Sequence, residues 1–447
     1  MNEKGLPEEE ILAELGFFSD LDTNFRKVLS SMCTIPHPIA VTAYCRFVHS
    51  NIGDPGLFRG IAKMEKKTIE IIADFLNHPN PAAGFGHLTS GGTESNVEAV
   101  FHMKNRSGIL QSNSNRDKSS ANLANSVNSA NSVNSANSAN SANSANSANS
   151  TKSKKLNLVL PKTAHFSFKK IANFFDIELK KADVDFQSRV IPESVESLID
   201  ENTIGLIGIA GNTEFGECDP IEKLSEIALK YRLPLHIDAA FGGFVYPFLD
   251  PSRSGFGIKF GFDLSGVTSV SIDPHKMGLS VIPAGILIFR DESFLDVSLD
   301  KVKVKTPYLT SQYQSTLTGT RPGAAVAAAY AVMRHLGRDG YKKNVAYCMD
   351  LTDHFQNELE KIGLKPYLEP KINIITVYIG AGLDKESKET DREKTDKIRS
   401  QLLEKYGWNV SATKTIPALR FVLMPHVTKE DINGVISDLK KLLDSEN

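Results

Sequence analysis

Five short runs of almost uninterrupted apolar residues, at 156–160, 203–209, 234–238, 267–272 and 284–289, constrain this chain more than anything else in it. A strand with one solvated face alternates apolar and polar residues, whereas a strand buried on both faces does not, and buried strands of this kind belong to a largely parallel sheet covered by helices. The spacers fit that scheme. Residues 167–175 predict a helix with Phe168, Ile171, Phe174 and Phe175 on one side, and residues 221–231 predict an amphipathic helix. The Ala-rich stretch 324–333 reads as a buried helix bridging to a second unit. There, a helix near 341–362, a strand at 372–379, a charged loop, a helix near 399–406 and a strand at 419–424 predict a smaller α+β domain. The expected organisation is an N-terminal arm (1–50), a large α/β domain (51–325) and a small C-terminal domain (326–447).

One segment breaks the pattern. Residues 111–152 are dominated by Asn-Ser-Ala triplets, which bury almost nothing and repeat with a period that suits neither helix nor strand. Such a tract cannot offset the entropy of ordering, so it is expected to be a disordered, tolerated insertion between a helix at 94–104 and the strand at 156–160. The rest of the composition excludes several classes. With 51 basic and 53 acidic side chains there is no basic stripe for nucleic acid, and Lys152, Lys154, Lys155, Lys301, Lys303 and Lys305 read as solvated faces. No apolar run approaches the ~20 residues that span a bilayer. The polar, acid-rich start is unlike a signal peptide, so a soluble cytoplasmic protein is expected. Cys33, Cys45, Cys218 and Cys348 lack CxxC spacing, so neither a metal site nor a disulfide framework is expected.

The residues suited to chemistry sit where apolar strands give way to loops. Ser271-Ile272-Asp273-Pro274-His275-Lys276 ends one strand, at the sheet edge where α/β proteins bind ligands. A lone lysine there is ordinarily a solvated surface residue. A lysine forming a Schiff base needs desolvation to lower its pKa from ~10.4, a partner for a cofactor's ring nitrogen and a cradle for its phosphate. Asp238 ends another strand and is the candidate ring partner, since a carboxylate keeps a pyridine protonated and able to accept electrons. Its plainer role is to cap the following turn, but Ala239 and Ala240 leave room for a flat ring. Gly91-Gly92-Thr93 opens a helix whose free backbone N–H groups suit a phosphate, with Thr93 and Ser95 as further donors. His165, just after the first of the apolar runs, can stack on a ring or serve as an ordinary capping histidine. His37, in Ile35-Pro36-His37-Pro38, can border a substrate pocket. Together these point to pyridoxal 5'-phosphate.

These residues resemble the group II pyridoxal phosphate-dependent amino-acid decarboxylases of fold type I, in particular the archaeal L-tyrosine/L-aspartate decarboxylases, with sphingosine-phosphate lyase a more distant cousin. The resemblance rests on residues 32–38, 89–96, 236–243, 273–278, 308–310 and 319–321, and extends over nearly the whole chain outside the insertion. It implies that Lys276 holds the cofactor, Asp238 pairs with its ring nitrogen and His165 stacks over the ring beside Ala240. It further implies that Gly92, Thr93 and His275 contact the phosphate, with Thr320 from a partner subunit, and that Thr213 lies near the 3-hydroxyl. Tyr308, or alternatively Tyr313, would protonate the substrate's Cα. Arg420 would bind a substrate carboxylate through its planar fork of donors, with His37 nearby. The implied protein is a homodimer that decarboxylates L-aspartate to β-alanine or L-tyrosine to tyramine, for coenzyme A or methanofuran biosynthesis. A glutamate decarboxylase or a Cα–Cβ lyase is the alternative. A catalytically dead partner protein is disfavoured by the presence of both Lys276 and Asp238.

Overall fold

The computed structural model describes residues 3–83, 85–107, 155–293, 304–305, 307–310, 313–314, 316–380 and 385–445. The expected insertion at 111–152 and the side chain of Tyr313 lie outside the described residues. The apolar runs form the middle of a seven-stranded sheet. Its strands are β1 (Gly86–Thr89), β2 (Asn157–Pro161), β3 (Glu178–Ala182), β4 (Thr203–Ile209), β5 (Leu235–Asp238), β6 (Val267–Ile272) and β7 (Gly285–Phe289), in the order β1-β7-β6-β5-β4-β2-β3. Six strands run parallel and β7 runs against them. Strands β2, β4, β5 and β7 are buried along their whole length, which is why their sequences do not alternate.

Helices cover both faces of this sheet. A helix over 92–107, α4, follows β1, and α5 (Ser167–Phe175) and α7 (Ile221–Tyr231) fill the crossovers. Before them in the chain come α1 (Glu8–Leu21), α2 (Pro38–Arg46) and α3 (Arg59–Phe75), and α6 (Pro192–Ser197) precedes β4. Val97, Val100 and Met103 of α4 pack directly on Leu158 and Leu160 of β2, so the elements on either side of the insertion meet without it. On α5 the expected apolar side is only partly buried: Phe168 and Ile171 are inside, but Phe174 is 70% exposed because it points away from the sheet.

Helix α8 (Gly323–Lys361) joins the two cores. It breaks at Gly337, whose φ of 57° and ψ of −170° are not helical. From Ala325 to Met349 its buried side chains belong to the large core, except Ala328 and Val332, which pack with Ala40 and Leu279, and from Leu351 onward to the small one. The small core lies under a three-stranded antiparallel sheet of β10 (Ile374–Tyr378), β12 (Ala418–Val422) and β11 (Ser411–Ala412). A short pair, β8 (Val304–Lys305) and β9 (Tyr313–Gln314), stands apart. Helices α9 (Lys385–Tyr406) and α10 (Lys429–Asp444) complete the small unit, and α10 starts with a capping box between Thr428 and Asp431. The helix expected only near 399–406 thus begins at Lys385, within the stretch expected as a charged loop.

The N-terminal arm divides in two. Helix α1 buries no residue. The segment after it pairs with the small unit: Leu29 N–H donates to Asn409 O at 2.8 Å, Asn409 N–H to Lys27 O at 2.9 Å and Val422 N–H to Leu29 O at 2.7 Å.

Candidate active site

The carboxyl ends of β1, β2, β4, β5 and β6 face one cavity of about 340 Å³, and each contributes wall residues from the loop that follows it. A parallel arrangement makes this convergence automatic, since every strand ends on the same edge. Lys276 enters from the turn after β6, with Nζ 3.1 Å from Asp273 Oδ2. Burial alone would depress its pKa, but the carboxylates of Asp273 and Asp238 outweigh burial and hold the amine above its ordinary value. The expectation of a lysine lowered by desolvation is therefore corrected, because two acids accompany it.

Gly91 and Gly92 lie between β1 and α4. Gly91 has φ 157°, and a Cβ there would sit 3.1 Å from His275 Cε1. A Cβ on Gly92 would meet Ala240 Cβ at 3.1 Å and Asp273 Oδ2 at 3.2 Å. Glycine thus keeps this corner open. The N-terminus of α4, with Thr93 beside it, supplies unpaired backbone donors at the cavity wall. His275 donates from Nδ1 to Ala284 O at 2.7 Å, which fixes its ring. Burial lowers its pKa although Asp273 pulls it up.

Across the cavity, Asp238 Oδ1 accepts from Ala240 N–H at 3.2 Å and Oδ2 from Asn96 Nδ2 at 2.9 Å. The turn-capping role and the cavity position thus coexist in one residue. His165 and Thr213 form further wall. His165 Nδ1 lies 3.0 Å from Ser167 Oγ, and burial lowers the pKa of its ring despite the pull of Asp238. The Asp273 Oδ1 atom is buried with no hydrogen-bond partner.

Five sequence candidates lie elsewhere. Ser95 is fully buried, its hydroxyl 2.7 Å from that of Thr89 and outside the cavity wall. Tyr308 is 83% exposed, Thr320 is exposed, and neither lines the cavity. His37 caps α2, accepting from Ile39 N–H at 3.2 Å, with its ring centroid 5.0 Å from that of His335. Arg420, on β12, is 6% exposed and donates from one terminal nitrogen to Ser30 O at 3.2 Å and Ser411 Oγ at 2.9 Å. Its Nε and other terminal nitrogen are buried without partners, and burial brings its pKa down to about 10. Sequence reading gave no role to Met32, Asn96 or Phe241, all of which line the cavity. Met32 and Asn96 end or begin the conspicuous runs 32–38 and 89–96, but nothing in a single sequence shows which way they face.

The sequence matches the model of the pyridoxal-dependent decarboxylase conserved domain over residues 135–365. This chain belongs to the pyridoxal-dependent decarboxylase family. It is 46% identical over 451 residues to a probable L-tyrosine/L-aspartate decarboxylase of Methanosarcina acetivorans, covering 99% of both chains. It is 39% identical over 446 residues to the L-aspartate decarboxylase of Thermococcus kodakarensis, covering 98% of both. Its fold is that of the glutamate decarboxylase of Lactobacillus brevis, with a TM-score of 0.78 at 22% identity over 100% of this chain and 94% of that one. The protein is thus a fold type I enzyme, a carboxy-lyase that decarboxylates amino acids with pyridoxal phosphate as cofactor. The cavity suits that group: a lysine amine, a carboxylate across from it, a glycine-opened helix N-terminus and an orphaned acceptor on Asp273 share one enclosure. Among the described residues there is no His/Cys/Asp/Glu group able to hold a metal ion, and no helix long and apolar enough to cross a membrane.

Proposed function

We propose that this enzyme decarboxylates L-aspartate to β-alanine or L-tyrosine to tyramine, in the cytoplasm, feeding coenzyme A or methanofuran biosynthesis. The observation that carries this reading is end-to-end identity of 39–46% to relatives named for those two substrates. Bound pyridoxal phosphate supplies a protonated pyridine that accepts the electron pair left when carbon dioxide departs. In this reading the Lys276 amine would hold the cofactor. Asp238 pairs with the ring nitrogen, His165 stacks on the ring, and Thr213 lies by its 3-hydroxyl. Gly92, Thr93 and His275 take the phosphate. Arg420, outside the cavity wall in this structure, would give its two unpaired donors to a substrate carboxylate, with His37 as a second substrate contact. The walls orient the Cα–carboxylate bond and exclude water, and Tyr308 returns a proton to Cα.

The last step requires a second copy of the chain. Tyr308 and Thr320 are exposed here, as expected of residues that complete the site of a partner subunit. Leu12, Leu15, Phe17, Phe18 and Leu21 of α1 are each at least 58% exposed, and a run of large apolar side chains left in solvent marks an interface. A two-fold homodimer accounts for both.

The test is a decarboxylation assay of the cofactor-loaded enzyme on L-aspartate, L-tyrosine and L-glutamate, with product identified by mass. Carbon dioxide matched by β-alanine or tyramine is the expected result. Turnover of glutamate alone, or an aldehyde product from Cα–Cβ cleavage, overturns it.

A further inference from the structure

We propose that Asn96 is a positioning residue for the electron sink: it ends a buried, one-way chain of hydrogen bonds, Ser269 to His236 to Asn96 to Asp238, that fixes the carboxylate facing the cofactor. The proposal rests on Asp238 being the partner of the pyridine nitrogen.

The chain is built from three elements. Asn96 lies on α4, His236 and Asp238 two residues apart on β5, and Ser269 and Ser271 two residues apart on β6. Asn96 is 1% exposed, His236 0% and Ser269 3%. Asn96 Nδ2 donates to Asp238 Oδ2 at 2.9 Å and lies 3.4 Å from Ser167 Oγ. On its other side, Asn96 Oδ1 lies 2.9 Å from His236 Nε2 and 3.0 Å from Ser271 Oγ, while His236 Nδ1 lies 2.9 Å from Ser269 Oγ.

Donor and acceptor chemistry then sets every proton. An ionised carboxylate only accepts, so the amide nitrogen of Asn96 must face Asp238 and its oxygen must face His236. The flipped amide would set two acceptors against each other in a buried space. His236 Nε2 therefore carries hydrogen, Nδ1 accepts, and the Ser269 hydroxyl donates to it. The imidazole is neutral, in keeping with a pKa that burial brings down to about 4. Because the sequence alternates along β5, His236 and Asp238 share a face of the strand, and Asn96 of α4 hydrogen-bonds both.

Two consequences distinguish this from a merely satisfied buried asparagine. Both oxygens of Asp238 are held, one by Asn96 and one by the backbone of Ala240, so the carboxylate plane is fixed. The chain that holds it is also uncharged from end to end. A cation in place of Asn96 would neutralise Asp238 and weaken its hold on a protonated ring. A neutral donor orients the carboxylate and leaves its charge for the cofactor.

The test compares how well the cofactor-free enzyme binds pyridoxal 5'-phosphate and its 1-deaza analogue, which lacks the ring nitrogen. A charge-assisted bond to that nitrogen should favour the natural cofactor by about tenfold or more in the wild type. Asn96→Ala and Asn96→Asp should each cut that preference at least about fivefold while cofactor-free folding, read by circular dichroism, persists. Asp238→Ala should abolish it. If Asp238→Ala keeps the preference, the reading of Asp238 fails; if it loses the preference while both Asn96 variants keep it, the present proposal fails. A measurement on the wild type needs no variant to fold into an active form. In the nitrogen spectrum of histidine-labelled, cofactor-free protein, His236 should be the neutral Nε2–H tautomer at pH 7, its signal assigned by loss in His236→Gln. An Nδ1–H tautomer or an imidazolium overturns the proposed direction of the chain.

Discussion

Replacing Arg420 by methionine separates what a buried cation costs from what it does. Its guanidinium is 6% exposed, with two of its three nitrogens unpaired. Burial lowers its proton affinity from an ordinary pKa above 12 to about 10, with Glu214 pulling the other way. At about 1.4 kcal/mol per tenfold change, that depression is worth about 3 kcal/mol against the folded chain at every pH below about 10. Methionine fills a similar length without charge, but leaves Ser30 O and Ser411 Oγ without their donor, at a cost of about 1–2 kcal/mol. The net expectation is a gain of about 1–2 kcal/mol, or about 1–4 °C in the melting temperature of the cofactor-free protein. Activity should move the other way. With Arg420 in its proposed role, the loss of two charge-assisted bonds to a substrate carboxylate, at about 1.5–3 kcal/mol each, predicts a fall in kcat/KM of about 10²–10⁴-fold. Arg420→Lys keeps the charge but not the fork, and should lose most of the same factor. Scanning fluorimetry and the decarboxylation assay read the two effects separately. A methionine variant that melts several degrees lower, or a lysine variant within threefold of wild type, refutes the reasoning.

Other predictions follow from the same geometry. Asp273→Asn removes the stronger of the acids that raise the Lys276 amine, so the pH midpoint for cofactor uptake by the cofactor-free enzyme should shift downward, followed by cofactor absorbance across pH; no shift or an upward one counts against it. His236 stays neutral in the folded chain down to a pKa of about 4, so the unfolded chain takes up its proton first, near 6.5. Stability is then lost as pH falls from 6.5 toward 4, by about 3 kcal/mol in full. Urea titrations should show His236→Gln losing less stability than wild type over that window. Replacing residues 113–152 by a short glycine-serine linker should leave kcat within about twofold, since α4 and β2 already pack on one another.

The middle of the sheet was legible because burial on both faces leaves an unbroken apolar run, as in β4 and β7. Edge strand β3 was not: of Glu178–Ala182 only Ala182 is buried, and a charged edge reads as loop. Helix α9 was legible only in its last turns, because its first half carries Lys385, Glu386, Lys388, Glu389 and Asp391 with no continuous apolar stripe. At the site, Lys276, Asp238, Gly91 and His165 were readable because each follows a strand that declares its own end. Asn96 acquires its role only from the register of β5 against β6, which sets Ser269 beside His236 and Ser271 beside Asp238. A local reading of Lys276 sees burial; only the fold brings Asp238 beside Asp273 and reverses the sign of its shift.

The pairing of Leu29 with Asn409 and Val422 makes neighbours of residues almost four hundred positions apart. Arg420, two residues before Val422 on β12, donates to Ser30 O, and two residues beyond Ser30 the same segment delivers Met32 to the cavity wall. The start of the sequence is therefore structurally a strand of its end. The segment that pairs with the small unit at Leu29 and Ser30 thus reaches, two residues on, the large core, against which Met32 packs. A fusion, truncation or domain exchange cut anywhere between residues 30 and 409 must take both termini from the same parent, or it will divide that pairing.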